Sequence, residues 1–315
     1  MSNPVLYVIT VLIWGSTWFA IEFQLGTVAP EVSVVYRYAI AAALLFAWSR
    51  YRKLNLSFQL REHAWFLLLG LFLFGLNYVL AYRAQIYITS ALTAIAFSTI
   101  VWMNIINARL FFGVRSGPRV IVGALLGVAG IVTLFAPQVG DFSMTDTVVI
   151  GMLLAVSSAL LASFGNMVSQ GAQRRQLPVI QSNAWGMFYG FLVSASIASV
   201  QGLPFNFEWS VGYVASLGFL SVFGSIVAFG AYLTLLGRIG AHKSGYMMVM
   251  FPVVALILST LFEGLTIDAP IVVGTILVLA GNLFVMGAPS VRSKDTRPIV
   301  RPRGTLPVSA ASRRV

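Results

Sequence analysis

The side chains best suited to holding a small molecule are aromatic rings and amides set within long apolar runs. Tyr7, Val11, Trp14, Trp18 and Glu22 follow one another at steps of four, three, four and four, which puts them on one face of a helix. Trp14 and Trp18 lie deeper in their run than the interfacial belt where membrane tryptophans gather. Their ring faces suit apolar and cationic groups alike, although packing against neighbouring helices accounts for the stripe equally well. Further along stand Asn77, Tyr78 and Tyr82, then Ser98, Trp102 and Asn104, then Ser163 and Asn166. An amide in mid-run is costly to leave facing lipid, so it bonds another helix or lines a cavity. Rings and amides spread over several helices suit a largely apolar substrate pocket with a few orienting polar groups. Tyr246, Met247, Met248, Met250 and Phe251 add flexible thioethers and two more rings. Pro252, directly after them, interrupts the hydrogen-bond ladder of its helix and frees a carbonyl.

Two ionisable residues within the apolar runs need a reason. Arg37 and Glu22 form a structural ion pair or snorkel to water, or else Arg37 holds a substrate carboxylate and Glu22 is a proton site. Glu263, at the end of its run, reads as a latch between helices. Enzyme chemistry finds little here. There is no Cys, and His63 and His242 are the two histidines, both placed in turns. No Gly-rich loop ends in Lys-Ser or Lys-Thr, and no Lys lies in mid-run, so the sequence calls for no ATP motor, Schiff base, metal or cofactor.

The elements that carry these residues are ten apolar stretches: 5–24, 32–49, 64–82, 86–108, 119–136, 147–169, 181–200, 212–236, 243–262 and 269–288. With 58% hydrophobic and 9% charged residues, the chain is far from a soluble composition. A crossing helix takes about 20 apolar residues, and ten of them nearly exhaust 315 residues. Lipid offers backbone groups no partners, so each stretch is predicted to be helical. Alternate turns hold Arg50 to Arg61, Arg109 to Arg119, Arg174 with Arg175, and Arg238 with Lys243. With the residues after 289, they account for 18 of the 20 Lys and Arg. The opposite turns carry Glu31, Asp141, Asp146, Glu208 and Asp268. Basic turns stay in the cytoplasm during insertion, which predicts both termini inside. Met1-Ser2-Asn3-Pro4 has neither a basic n-region nor a cleavage site, so the first stretch reads as retained. Residues 289–315 mix Pro, Ser and Arg and read as a disordered basic cytoplasmic tail. The net charge of +11 sits in short juxtamembrane turns, which favours anionic lipid headgroups as partners over nucleic acid.

Laid over itself at an offset of 151 residues, the chain matches Ile106 to Ile257, Leu110 to Leu261, Phe111 to Phe262, Gly113 to Gly264, Gly123 to Gly274 and Gly130 to Gly281. Two halves follow, 5–136 and 147–288. Because each holds five stretches, the second runs upside down relative to the first. Inverted repeats recur in secondary transporters, with the site near the midplane where the halves meet. The correspondence fades upstream of residue 83. Glycines of the fifth and tenth stretches allow close helix approach, within the chain or in a homodimer.

Trp14-Gly15-Ser16-Thr17, Arg37, Phe251-Pro252-Val253-Val254 and Phe262-Glu263-Gly264, in this order, resemble the EamA family of the drug/metabolite transporter superfamily. The resemblance implies an all-α, ten-helix secondary transporter of the bacterial inner membrane. Its substrates would be small metabolites such as amino acids and aromatic compounds, most often exported by alternating access. The halves are unequal, since Val101 stands opposite Pro252 and Phe112 opposite Glu263. A different class, a lipid-handling or lipid-flipping protein, could use the same groove.

Overall fold

The computed structural model describes residues 1–113, 118–135, 147–244 and 246–286, all of them helix or short connection with no strand among them. The tail 289–315 and the turn residues Arg115, Asp141 and Asp146 lie outside the described residues. The helical rods are α1 (Asn3–Glu22), α2 (Pro30–Tyr51), α3 (Leu60–Ala84), α4 (Ser90–Phe112), α5 (Pro118–Phe135), α6 (Thr147–Arg174) and α7 (Val179–Val200). They are followed by α8 (Val211–Phe219, Leu220–Val227 and Ala228–Ser244 in succession), α9 (Tyr246–Phe262) and α10 (Ala269–Met286). Among these α1, α2, α3, α4, α6 and α8 are long and apolar enough to cross a membrane. Shorter apolar helical stretches cover 121–133, 250–262 and 269–284.

Local chemistry sets the ends. Pro30 opens α2 and Pro118 opens α5, at positions where a missing N–H costs nothing. Before α3, the Gln59 N–H donates to Glu62 Oε2 at 2.6 Å, and the Ile271 N–H donates to Asp268 Oδ1 at 2.9 Å as α10 begins. Gly113 and Gly264, one repeat apart, end α4 and α9 with φ of 66° and 70°, a left-handed conformation that only glycine adopts without strain. α4 starts four residues later than the apolar run suggests. The chain turns at 85–89, Thr89 caps the helix, and Glu263 Oε2 accepts from the Ser90 N–H at 3.2 Å. α6 outlasts its apolar stretch because its last turn finds aromatic cover: Arg174 lies 4.1 Å from the Phe112 ring centre and Gly171 packs on Trp65.

Two features repeat at the offset of 151. In α3, residues Gly70–Leu76 are wound as a π-helix, and in α8 so are Leu220–Val227. α2 packs along α7 and α5 along α10, each pair joining helices that occupy the same place in the two halves. Both pairs run antiparallel. Val32 shares a cluster with Ala198, whereas Phe46, further along α2, meets Trp185, nearer the start of α7, at 5.0 Å between ring centres. A Cβ on Gly130 would lie 2.7 Å from the Gly274 carbonyl oxygen, and one on Gly281 2.6 Å from that of Gly123. The glycine faces of α5 and α10 therefore meet each other within one chain, backbone to backbone.

Candidate functional site

Between α1, α3, α4, α6, α8 and α9 lies a cavity with about 560 Å³ of empty space, counted together with its mouth. Seven aromatic residues line it: Trp14 and Trp18 from α1, Tyr78 from α3, Phe97 from α4, Phe229 and Tyr232 from α8, and Phe251 from α9. Trp14 stands 5.0 Å from both Phe229 and Tyr232, and Trp18 stands 5.1 Å from Phe97 and 6.1 Å from Phe251. The first three are edge-to-face or tilted ring contacts, and Trp18 is stacked on Phe251. Three pairs of lining residues are repeat equivalents at the offset of 151: Tyr78 and Phe229, Ala81 and Tyr232, Ile100 and Phe251. Part of the wall is thus drawn twice from the same positions, with different side chains.

The polar part of the wall is small and mostly occupied. Asn77 donates to the Leu73 carbonyl at 3.1 Å and accepts from the Ser158 hydroxyl at 2.7 Å, which fixes its amide. Asn166 donates to Asn104 Oδ1 at 3.2 Å, and the Thr17 hydroxyl donates to the Trp14 carbonyl at 2.8 Å. The Trp14 indole N–H reaches the Gly224 carbonyl at 3.2 Å. That carbonyl belongs to the π-wound part of α8, where the wider turn leaves backbone acceptors without an i+4 partner.

Behind the wall lies Arg37, fully buried. Its Nε donates to Ser225 Oγ at 3.0 Å and its Nη1 to the Tyr82 hydroxyl at 3.3 Å. The guanidinium carbon sits 4.4 Å from the ring centre of Tyr78 and 5.5 Å from that of Tyr38. Nη2 has no hydrogen-bond partner. No carboxylate meets it: Glu31, on the same helix, pairs with Arg83, and that is the ion pair found among the described residues.

The residues singled out in the sequence fall into distinct places. Trp14, Trp18, Asn77, Tyr78 and Asn166 line the cavity together. Ser98 and Ser163 are buried between helices, where Asn282 donates to Ser98 and Asn107 donates to Ser163. Trp102 leans toward α5, with its Nε1 3.2 Å from where a Cβ of Gly127 would stand, and is outside the cavity wall. Met250 is 43% exposed. Pro252 lies inside the continuous helix α9. The side chain of Tyr246 is outside the described residues. Glu22 is exposed at the end of α1, borders a second depression with Gln85, and makes no pair with Arg37. Phe97, Phe229 and Tyr232 were missed by sequence reasoning. In runs where every face is apolar, the offset of Phe229 from Tyr78 is the one signal that could have found one of them.

The EamA-like transporter family matches the chain twice, over residues 2–136 and 149–287. The chain is similar to the transporter YoaV of Bacillus subtilis, 25% identical over 89% of this chain and 96% of that one. It is also similar to the inner membrane transporter YedA of Escherichia coli, 26% identical over 89% and 91%, and to PagO of Salmonella typhimurium, 22% identical over 90% and 95%. A solved crystal structure, 18% identical and covering 90% of this chain and 96% of its own, shares the fold with a TM-score of 0.66. With both halves matched and the apolar helices in place, the chain belongs to the EamA-like transporter family and is a multi-pass membrane transporter.

Proposed function

We propose that the protein moves small amphipathic metabolites, amino acids and aromatic compounds first among them, out of the cell by alternating access through the ring-lined cavity. The observation that carries this reading is the cavity wall itself: seven aromatic residues with three fixed polar side chains, contributed in part by repeat-equivalent positions. Such a wall rewards planar apolar bodies through ring contacts and selects orientation through a few polar groups. The antiparallel course of equivalent helices, seen in α2 with α7 and α5 with α10, supports two inverted halves around a central site. In this reading the chain crosses the membrane ten times with both ends in the cytoplasm, and the halves exchange conformations to open the site to each side in turn.

The test is a growth-inhibition screen of cells overexpressing the protein against toxic analogues of tryptophan, phenylalanine, tyrosine and leucine, with cationic aromatic drugs alongside. Export predicts resistance to one or more analogues that Trp18→Ala abolishes at equal membrane abundance. Sensitisation would reverse the direction. No change across the panel would remove these substrate classes.

A further inference from the structure

We propose that Arg37 is the receptor for a carboxylate on the transported molecule, and that the Tyr78 ring is the cover between it and the cavity. This assignment rests on the transport reading above and deepens it by naming the charged group the substrate must carry.

A fully buried guanidinium is costly unless its charge is answered. Here the answer is incomplete. Two neutral hydroxyls, of Ser225 and Tyr82, take Nε and Nη1, and the Tyr78 and Tyr38 rings offer their faces. Nη2 is left without a partner and no carboxylate is near. The one acidic side chain close by in sequence, Glu31, is held by Arg83, which also donates to Gln201 Oε1 at 2.8 Å. Six residues apart on one helix, Glu31 and Arg37 do not face each other, so Glu31 is not placed to answer the charge. The protein keeps the cation unsatisfied one ring's thickness from the cavity.

The geometry also says how an anion would reach it. Tyr78 lines the cavity and covers the guanidinium, so one ring separates the two. On the other side, Arg37 Nη2 and the Thr17 methyl face each other across Gly224: a Cβ built there would lie 3.2 Å from the first and 2.8 Å from the second. Thr17 is itself part of the cavity wall. Rotation of the Tyr78 side chain would let a carboxylate accept from Nη2, while the rest of the substrate stays among the rings. A charge-assisted bond of this kind would separate an acid from its neutral ester by about tenfold or more.

The experiment compares binding of L-tryptophan, 3-phenylpropionate, L-leucine, L-tryptophan methyl ester and tryptamine to the purified full-length protein, by thermal stabilisation and by competition for flux in proteoliposomes. We expect the acids to act at concentrations at least about tenfold below the ester and the amine. Arg37→Gln should bring that ratio to about one, and Arg37→Lys should keep part of it. Ester and amine binding as tightly as the acids would overturn the assignment while leaving the aromatic reading intact, and so would an Arg37→Gln protein that keeps the ratio. Leucine binding without the aromatic compounds would overturn the aromatic reading; Arg37 then stands if Arg37→Gln weakens leucine by at least about tenfold and falls if it does not. Binding of none of the five would overturn both. If Arg37→Gln fails to fold, Arg37→Lys carries the test: a reduced acid-to-ester ratio supports the assignment and an unchanged ratio overturns it.

Discussion

Gly130 and Gly281 hold equivalent places in the two halves, and each lies against the other's helix so closely that a Cβ would sit under 3 Å from backbone. Neither contact can be relieved by turning a side chain, since the neighbours are the Gly274 and Gly123 carbonyls and main-chain nitrogens. Gly281→Ala and Gly130→Ala should therefore each lower the melting temperature, by about 1–3 kcal/mol of overpacking. Gly218→Ala, with open space around it, should be neutral or gain up to about 1 kcal/mol from helix propensity. Thermal melts of the three purified variants check this; equal melting temperatures would sink the close-contact argument.

Accessibility separates the cavity wall from the helix contacts. The chain has no cysteine, so single cysteines report cleanly. Cysteines at Thr17, Ala81 and Asn166 should react with a small water-soluble thiol reagent and be protected by substrate. Cysteines at Ser163 and Ser98, both enclosed between helices, should stay inert. The same labelling in both groups would mean that the cavity is not the aqueous path.

Glu31 is buried and its partner Arg83 is 40% exposed. Removing the arginine strands a carboxylate, whereas Glu31→Gln leaves a neutral acceptor. Arg83→Ala should cost more stability than Glu31→Gln, by about 1–3 kcal/mol after allowance for the exposed half of the pair. The double variant should recover part of the loss. A double-mutant cycle by thermal melts is the measurement, and simple additivity would show the pair to be uncoupled.

Topology can be read with reporter fusions. Fusions after Arg61, Arg115, Arg175 and Lys243 should report cytoplasm, and those near Asp141 and Glu208 the far side. Periplasmic phosphatase activity at Arg115 would require a different number of crossings in the first half.

Particular residues show how far the sequence could be read. The apolar runs were legible because lipid forces helices, and the Gly113 and Gly264 match was legible as a repeat, although that both end helices in a left-handed turn came from the structure. The depth of Trp14 and Trp18 left a cavity wall and helix packing equally open, and the structure has both lining the cavity. Trp102 and Met250 were marked with them, yet the structure puts one against α5 and leaves the other exposed. Where a helix is apolar all round, its periodicity does not tell a cavity face from a lipid face. The π windings left no trace either, since an extra residue in an apolar run changes no composition. The internal match fades upstream of residue 83 because side chains differ where the backbone still repeats: Tyr78 and Phe229 share a position without sharing a side chain.

Those two windings act as a gear between sequence and cavity. Tyr78 follows Gly70–Leu76 by two residues, and Phe229 follows Leu220–Val227 by two. Rewinding either segment as ordinary α-helix, with no residue lost, would turn every later side chain of that helix by on the order of 100°. Tyr78 would leave the face of Arg37, or Phe229 would leave Trp14, with not one wall residue replaced. The wall presented to the cavity is thus set by how these turns are wound as much as by the rings themselves, and two relatives with the same aromatic residues but different windings there would present different walls.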